Sequence, residues 1–280
     1  MKRRAFIKQS ALILALANTP LSFASMIQID SFDEQIPRFD SHIKDRLQNK
    51  RLFNKVYDED IFLDKQYVPF LNHSLNRLKK MQALVGYGHF CLLSFDDAIK
   101  IANSYSKIGS FSKQELNFFE IIFYSQGKNY GFMGEKPIKD LTGKIPVKEV
   151  KKIDSTGNYL YRGKPIERYN TIKKEIGNDV ILTSGVRSIM KQFLLFLNKA
   201  SDSHGNLSMA SRSLAPPGYS FHGVGDFDVG KKGYGIYNFT EEFTKTSVYK
   251  KLIDLGYIKF RYEQNNNLGV RFEPWHIEVI

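Results

Sequence analysis

The chain of 280 residues has one cysteine, Cys91, and one tryptophan, Trp275. A lone cysteine excludes an intramolecular disulfide and any cysteine-rich metal site, so stability has to come from packing. No cysteine follows the amino-terminal segment to carry a lipid anchor. No later stretch reaches the roughly 18 apolar residues that cross a bilayer as a helix. The sequence has no internal repeat, no low-complexity tract, and no helix-turn-helix, zinc-finger or RNP pattern. Histidine is scarce as well, with six in the chain, so any site built from imidazole has few residues to draw on.

What is present is ordinary for a globular protein: 42% hydrophobic and 25% charged residues. The 22 Phe and 15 Tyr read as core material. The amino terminus has the plan of a targeting segment. Lys2, Arg3, Arg4 and Lys8 form a basic region, Ala11 to Ala17 is a short apolar run, and Ser22-Phe23-Ala24 offers small residues for cleavage. Arg3-Arg4-Ala5-Phe6-Ile7-Lys8 resembles the twin-arginine signal, which exports folded proteins, and an ordinary secretory signal is the alternative. Either way residues 1–24 are expected to direct the chain out of the cytoplasm, to the periplasm or cell envelope. The formal charge is +12, and removing residues 1–24, with four basic and no acidic side chains, leaves +8. With no nucleic-acid reader, a basic exported chain points to anionic envelope polymers as partners.

From about Ser31 to Lys128 the pattern is helical, with Ile43, Leu47, Leu52 and Phe53 and then Phe70, Leu71, Leu75, Leu78, Met81 and Leu84 at three- and four-residue spacing. Ser94 before Phe95-Asp96-Asp97 reads as a helix cap, and Ser112-Lys113-Gln114-Glu115 has the spacing of a capping box. His42, His73 and His89 stand singly here and are assigned no chemistry. Residues 128–157, with Gly131, Gly134, Pro137, Gly143 and Pro146, read as a connector, and a domain boundary is placed near Pro146. Beyond it, Val180-Ile181-Leu182-Thr183 predicts a strand and Ile189, Phe193, Phe196 and Leu197 a helix. Residues 201–219 read as a loop containing His204 at the surface. Thr246 to Leu255 predicts a helix, and Gly256–Tyr262 and Val270-Arg271-Phe272 predict strands. Short strands mixed with helices, without βαβ alternation, indicate an α+β domain at 146–280, with a small antiparallel sheet flanked by helices, after a mostly helical region at 25–145.

Two stretches concentrate metal-binding residue types. Ser220-Phe221-His222-Gly223-Val224-Gly225-Asp226-Phe227-Asp228 and Glu273-Pro274-Trp275-His276 together supply two imidazoles, two aspartates and a glutamate. Three N/O ligands, an open position and a nearby carboxylate are the inventory of a catalytic zinc site. Geometry constrains how they meet. An unbroken strand would separate His222 and Asp228 by about 20 Å, so the chain has to turn back, and Gly223 and Gly225 suit such a turn. Pro274 bars a helix through Glu273 and His276, so both reach one site only if the backbone bends at Pro274.

Ser220-x-His222-x-x-Gly225, Asp228 and Glu273-Pro274-Trp275-His276, preceded by Ser184-Gly185-Val186-Arg187-Ser188, resemble the zinc D-alanyl-D-alanine carboxypeptidases that trim peptidoglycan stem peptides. The resemblance covers about residues 145–280. It implies that His222, Asp228 and His276 bind one zinc ion. It implies that Glu273 is the base that takes a proton from the attacking water, that Arg187 binds the substrate and that Ser220 hydrogen-bonds it. Two departures stand out. The family's aspartate usually follows the first histidine by seven residues and Asp228 by six, leaving Asp226 as the alternative ligand, with Val229 favouring Asp228. Val186 stands where a tyrosine is common. Trp275 is expected to pack and fix the motif. An endopeptidase with the same zinc chemistry, or an inactive peptidoglycan-binding module, are the competing expectations.

Overall fold

The computed structural model describes residues 52–280. The targeting segment, His42, Ile43 and Leu47 lie outside the described residues, all of which belong to one compact unit. Helix α1, Val68–Val85, carries a proline in its first turn, where the missing N–H is no loss, and buries Leu71, Leu75, Leu78 and Met81 at the predicted spacing. A single turn, α2 (Tyr87–Phe90), follows. Helix α3, Phe95–Ser104, starts at Ser94, whose hydroxyl accepts the Asp97 N–H. Helix α4, Lys113–Tyr124, opens with the predicted capping box between Ser112 and Glu115. Both caps satisfy amide groups that a helix start leaves without a partner.

The expected connector contains structure of its own. Strand β1 (Val150–Lys152) pairs antiparallel with β2 (Tyr159–Tyr161), and helix α5 (Lys164–Ile176) follows. Then come β3 (Val180–Ser184), α6 (Ile189–Asp202), α7 (Leu207–Ser213), β4 (Phe227–Lys231), α8 (Ser247–Asp254), β5 (Lys259–Phe260) and β6 (His276–Glu278). Helix α7 lies inside the stretch expected to be loop. Asn206 caps it, and all seven of its residues are buried, so packing overrides the weak propensity of a serine-rich run. The strand expected at 270–272 is absent. There the Arg271 N–H donates to the Arg212 carbonyl and the Glu273 N–H to the Tyr262 carbonyl, so successive amides find different partners and no ladder forms. The strand expected at 256–262 shrinks to β5.

Strands β3, β4, β6 and β5 form an antiparallel sheet in that order. One face is the core: Val180, Leu182, Phe227, Val229, Phe260 and Ile277 pack with Tyr169, Ile172 and Ile176 of α5 and Val248 and Leu252 of α8. Alternation along each strand sends Asp228 and His276 to the opposite face. A register shift between Leu182 and Ser184 swaps sides on β3, so that Ser184 comes opposite Asp228 rather than joining the core. The sheet, the helices flanking it and the helical stretch before them make this an α+β fold, as the sequence predicts. Across the expected boundary, Phe119 of α4 meets Phe193 of α6 edge-on at 4.7 Å between ring centroids, and Tyr130 meets Phe196 at 6.3 Å. Burying a ring of this size stabilises by about 1.5–3 kcal/mol.

Candidate metal centre

Register brings two of the candidate ligands together. Asp228 on β4 is directly opposite His276 on β6, and directly opposed residues of an antiparallel pair place their side chains on the same face within about 5.5 Å. The third arrives by the turn the spacing demanded. Phe221–Gly223 form a 3-10 turn in which the Phe221 carbonyl accepts the N–H groups of Val224, Gly225 and Asp226. Gly225 has φ 151°, and a Cβ there would meet Ile280 at 2.7 Å, so glycine is required. At the other motif the His276 N–H donates to the Glu273 carbonyl across Pro274-Trp275. This is a turn with proline at its second position, and it is the bend that lets Glu273 and His276 face one point.

Donor atoms of His222, Asp228 and His276 all lie within 4.8 Å of one another, and the three side chains are buried. Asp228 Oδ1 is 3.1 Å from His222 Nε2 and 3.3 Å from His276 Nδ1. Ligands about 2 Å from a tetrahedral ion stand roughly 3.3 Å apart, so these separations fit. The remaining nitrogens are committed elsewhere. His222 Nδ1 lies 2.8 Å from the Gly185 carbonyl, and His276 Nε2 lies 3.0 Å from Asp226 Oδ2. Both of those oxygens only accept, so the outer nitrogens donate to them, and the inner nitrogens, Nε2 of His222 and Nδ1 of His276, face Asp228 Oδ1. Two oriented imidazoles and one carboxylate are a donor set suited to zinc.

The two aspartates separate here. Asp228 lies among the cluster. Asp226, two residues back, accepts from His276, from the Val279 and Ile280 N–H groups and from Arg261. Its oxygens are therefore engaged on the outer side of His276, away from the three-residue cluster. Burial alone would lower the His276 pKa, but bonds to Asp226, Asp228 and Glu273 raise it well above the ordinary imidazole range. Burial and then the Arg187 charge lower that of His222. Burial would raise the Asp228 pKa, yet the charges of His222 and Arg187 hold it well below the usual carboxylate range. The two aspartates at the site are each paired with an arginine, Asp228 with Arg187 and Asp226 with Arg261.

Glu273 Oε2 is 3.6 Å from His276 Nδ1, at the edge of the cluster. The Arg187 guanidinium donates to Asp228 Oδ2 at 2.6 Å and to Ser184 Oγ at 2.9 Å, so part of its fork is engaged with a candidate ligand. Ser220 is buried and begins the His222 turn. Val186 is buried and its N–H donates to the Tyr159 carbonyl. Trp275 packs in the core against Phe239, His204 is exposed as expected, and His73 and His89 are exposed as well. Sequence reasoning missed Arg271. Its guanidinium lies 4.7 Å from the Phe53 ring and 4.9 Å from that of Trp275, with Nε 3.7 Å from Glu273 Oε1. The only signal for it is its place two residues before the glutamate. It also missed Tyr262, whose ring meets His276 at 4.9 Å. A cavity of about 250 Å³ between Lys164, Arg168 and Tyr257 includes none of the cluster residues.

Residues 164–280 match the family model of VanY, D-alanyl-D-alanine carboxypeptidase. No curated protein matches the chain. Among solved structures, the LdcB LD-carboxypeptidase is 25% identical with a TM-score of 0.40, and the match covers 46% of this chain and 62% of that one. The D,D-dipeptidase VanXYg, in complex with a D-Ala-D-Ala phosphinate analogue, is 20% identical with a TM-score of 0.42, over 54% of this chain and 62% of that one. A mutant of the D,D-pentapeptidase VanY in complex with Zn(II) is 19% identical with a TM-score of 0.36, over 54% of this chain and 86% of that one. The matched residues are the part of the chain that carries His222, Asp228, Glu273 and His276.

Proposed function

We propose that this chain is an exported, zinc-dependent D-alanyl-D-alanine carboxypeptidase that removes the terminal D-alanine from peptidoglycan stem peptides. The observation that carries the reading is the buried His222–Asp228–His276 cluster with the Glu273 carboxylate at its edge. His222 Nε2, Asp228 Oδ1 and His276 Nδ1 would hold one zinc ion. When bound, zinc supplies Lewis acidity toward a carbonyl and lowers the pKa of water. Glu273 takes the proton from the attacking water and returns it to the departing D-alanine nitrogen. The donors of Arg187 not engaged by Asp228 and Ser184, with Ser220, hold the peptide, a planar fork being suited to its carboxylate. Asp226 and the Gly185 carbonyl keep each imidazole in the tautomer that leaves its inner nitrogen free.

On this reading residues 146–280 contain the catalytic machinery, residues 1–24 direct export and the partner is the stem peptide, with no nucleic acid. Among the described residues no helix is long and apolar enough to cross a membrane. The test is to incubate the purified, zinc-loaded protein with pentapeptide stems and with crosslinked dimers. Free D-alanine from the stems, abolished in Glu273→Ala, is the expected result. Monomers released from dimers would instead make it an endopeptidase, and binding without turnover would make it a wall-binding module.

A further inference from the structure

The matched residues begin at 164, yet the β1–β2 hairpin that precedes them grips the His222 segment at two points. Leu160, the middle residue of β2, is buried in the core of the larger sheet, and alternation turns Tyr159 and Tyr161 the other way. The first grip is through the backbone. The Tyr159 carbonyl accepts the Val186 N–H at 2.8 Å. That N–H and the Gly185 carbonyl belong to one planar peptide group, and the Gly185 carbonyl in turn accepts from His222 Nδ1 at 2.8 Å. The imidazole is thus oriented by a peptide that β2 itself holds in place. The fit is close: a Cβ at Gly185 would run into the Tyr159 carbonyl, so only glycine lets the two backbones approach this far.

The second grip is a side chain. The Tyr161 hydroxyl donates to the Gly223 carbonyl at 2.7 Å, one residue beyond His222 and inside the same 3-10 turn. Between the two grips the Arg187 N–H donates to the His222 carbonyl at 3.2 Å. These bonds close a ring that runs from Tyr159 through residues 185–187 to His222 and Gly223 and back to Tyr161. Hydrogen bonds linked in this way polarise one another, so the loss of one is felt along the chain. A ligand constellation tolerates a displacement of only about 0.5 Å. A turn released on the Gly223 side would let the His222 ring drift by more than that, while its bond to Gly185 alone remained.

We infer that Tyr161 is a positioning residue for the metal ligand His222, and that the β1–β2 hairpin is a working part of the metal centre although it lies outside the matched residues. This rests on His222 binding zinc, and Tyr161 acts through the turn rather than on the ion. The test uses the full chain as wild type, Tyr161→Phe and Thr156→Ala. The Thr156 hydroxyl donates to the Ile153 carbonyl at 2.8 Å in the bend of the hairpin, so its loss loosens the same hairpin at the end away from Gly223. Zinc affinity is measured by competition with a chelator, ligand geometry by the visible spectrum of the Co(II)-loaded protein, and melting temperature on the metal-free protein. Tyr161→Phe keeps the ring and removes the bond. It should weaken zinc binding by about three- to ten-fold, less than the loss of a group bonded to the ligand itself, and should change the Co(II) spectrum. Thr156→Ala should keep zinc affinity within about two-fold of wild type. A Tyr161→Phe protein with zinc affinity within about two-fold of wild type, or with an unchanged Co(II) spectrum, would overturn the inference while leaving the metal centre intact. So would equal losses of affinity in both variants that follow their melting temperatures, because hairpin stability in general would then be the cause. A wild type that binds no zinc would overturn the metal centre, and this inference with it.

Discussion

The helical residues 52–145 and the residues from 146 onward treat charge differently. In the first, Glu115 alone among the ionisable acids, bases and histidines is buried, and its carboxylate serves the α4 capping box and the Arg77 guanidinium. In the second, Lys191, Arg212, His222, Asp226, Asp228, Glu273 and His276 are all buried. Lys191 and Arg212 have structural partners, Gln82 and Asp60. The other five lie together around Asp228 and His276, which share one face of the sheet. Burying an ionised group costs several kcal/mol unless it is compensated, and here Arg187 and Arg261 compensate the two aspartates while His222, Asp228 and His276 offer a donor set to a cation. Both regions have apolar cores, and only the sheet region adds a buried cluster of ionisable groups to its core.

The sharpest way to break this contrast is through the base. Glu273→Ala should reduce hydrolysis of a D-Ala-D-Ala peptide by about 10²–10⁴-fold with zinc retained, as expected for loss of a general base. Equal loss of zinc and activity would instead make Glu273 a ligand. Next in size, Phe193→Ala, which empties the contact with Phe119, should destabilise the fold by about 3–5 kcal/mol in denaturant titrations. It should leave the zinc stoichiometry of the folded protein unchanged. Between the aspartates, Asp226→Asn should weaken zinc binding by about 10–100-fold in competition with a chelator, and Asp228→Asn by more. The reverse order would exchange their roles.

The smallest effect concerns an exposed pair network in the helical region. The Ser94 hydroxyl, Lys100 and Lys144 hold the Asp97 carboxyl down to about 2. Its folded pKa is depressed, so its contribution is present above the unfolded value near 4 and is lost as pH falls from about 4 through 2. Because the group is solvent-screened, Asp97→Asn should lower stability at pH 7 by less than about 1 kcal/mol, and the difference should vanish near pH 2. A difference that persists at pH 2 would mean that shape rather than charge is at stake.

Local signals were legible in the sequence and pairings were not. Ser94 and Ser112 announced their helices because a cap is set within four residues. The need for a turn after His222 and a bend at Pro274 followed from chain length and proline geometry, and both are present. The opposition of Asp228 to His276 depends on β4 and β6 finding each other across 48 residues, which no local pattern encodes. The same holds for α7, which forms because its buried Ser211 and Arg212 are received by Tyr130, Phe53, Lys55 and Asp60. Asp226 was visible as an acid in the motif, but its role turned on which nitrogen of His276 it faces. That is a matter of ångströms rather than of spacing.

The central claim is that His222, Asp228 and His276 share one ion, and metal analysis of the purified full chain tests it most directly. The account predicts about one zinc per chain in the wild type, lost in His276→Ala and in Asp228→Ala. A wild type that takes up no zinc, or variants that keep the full complement, would contradict it.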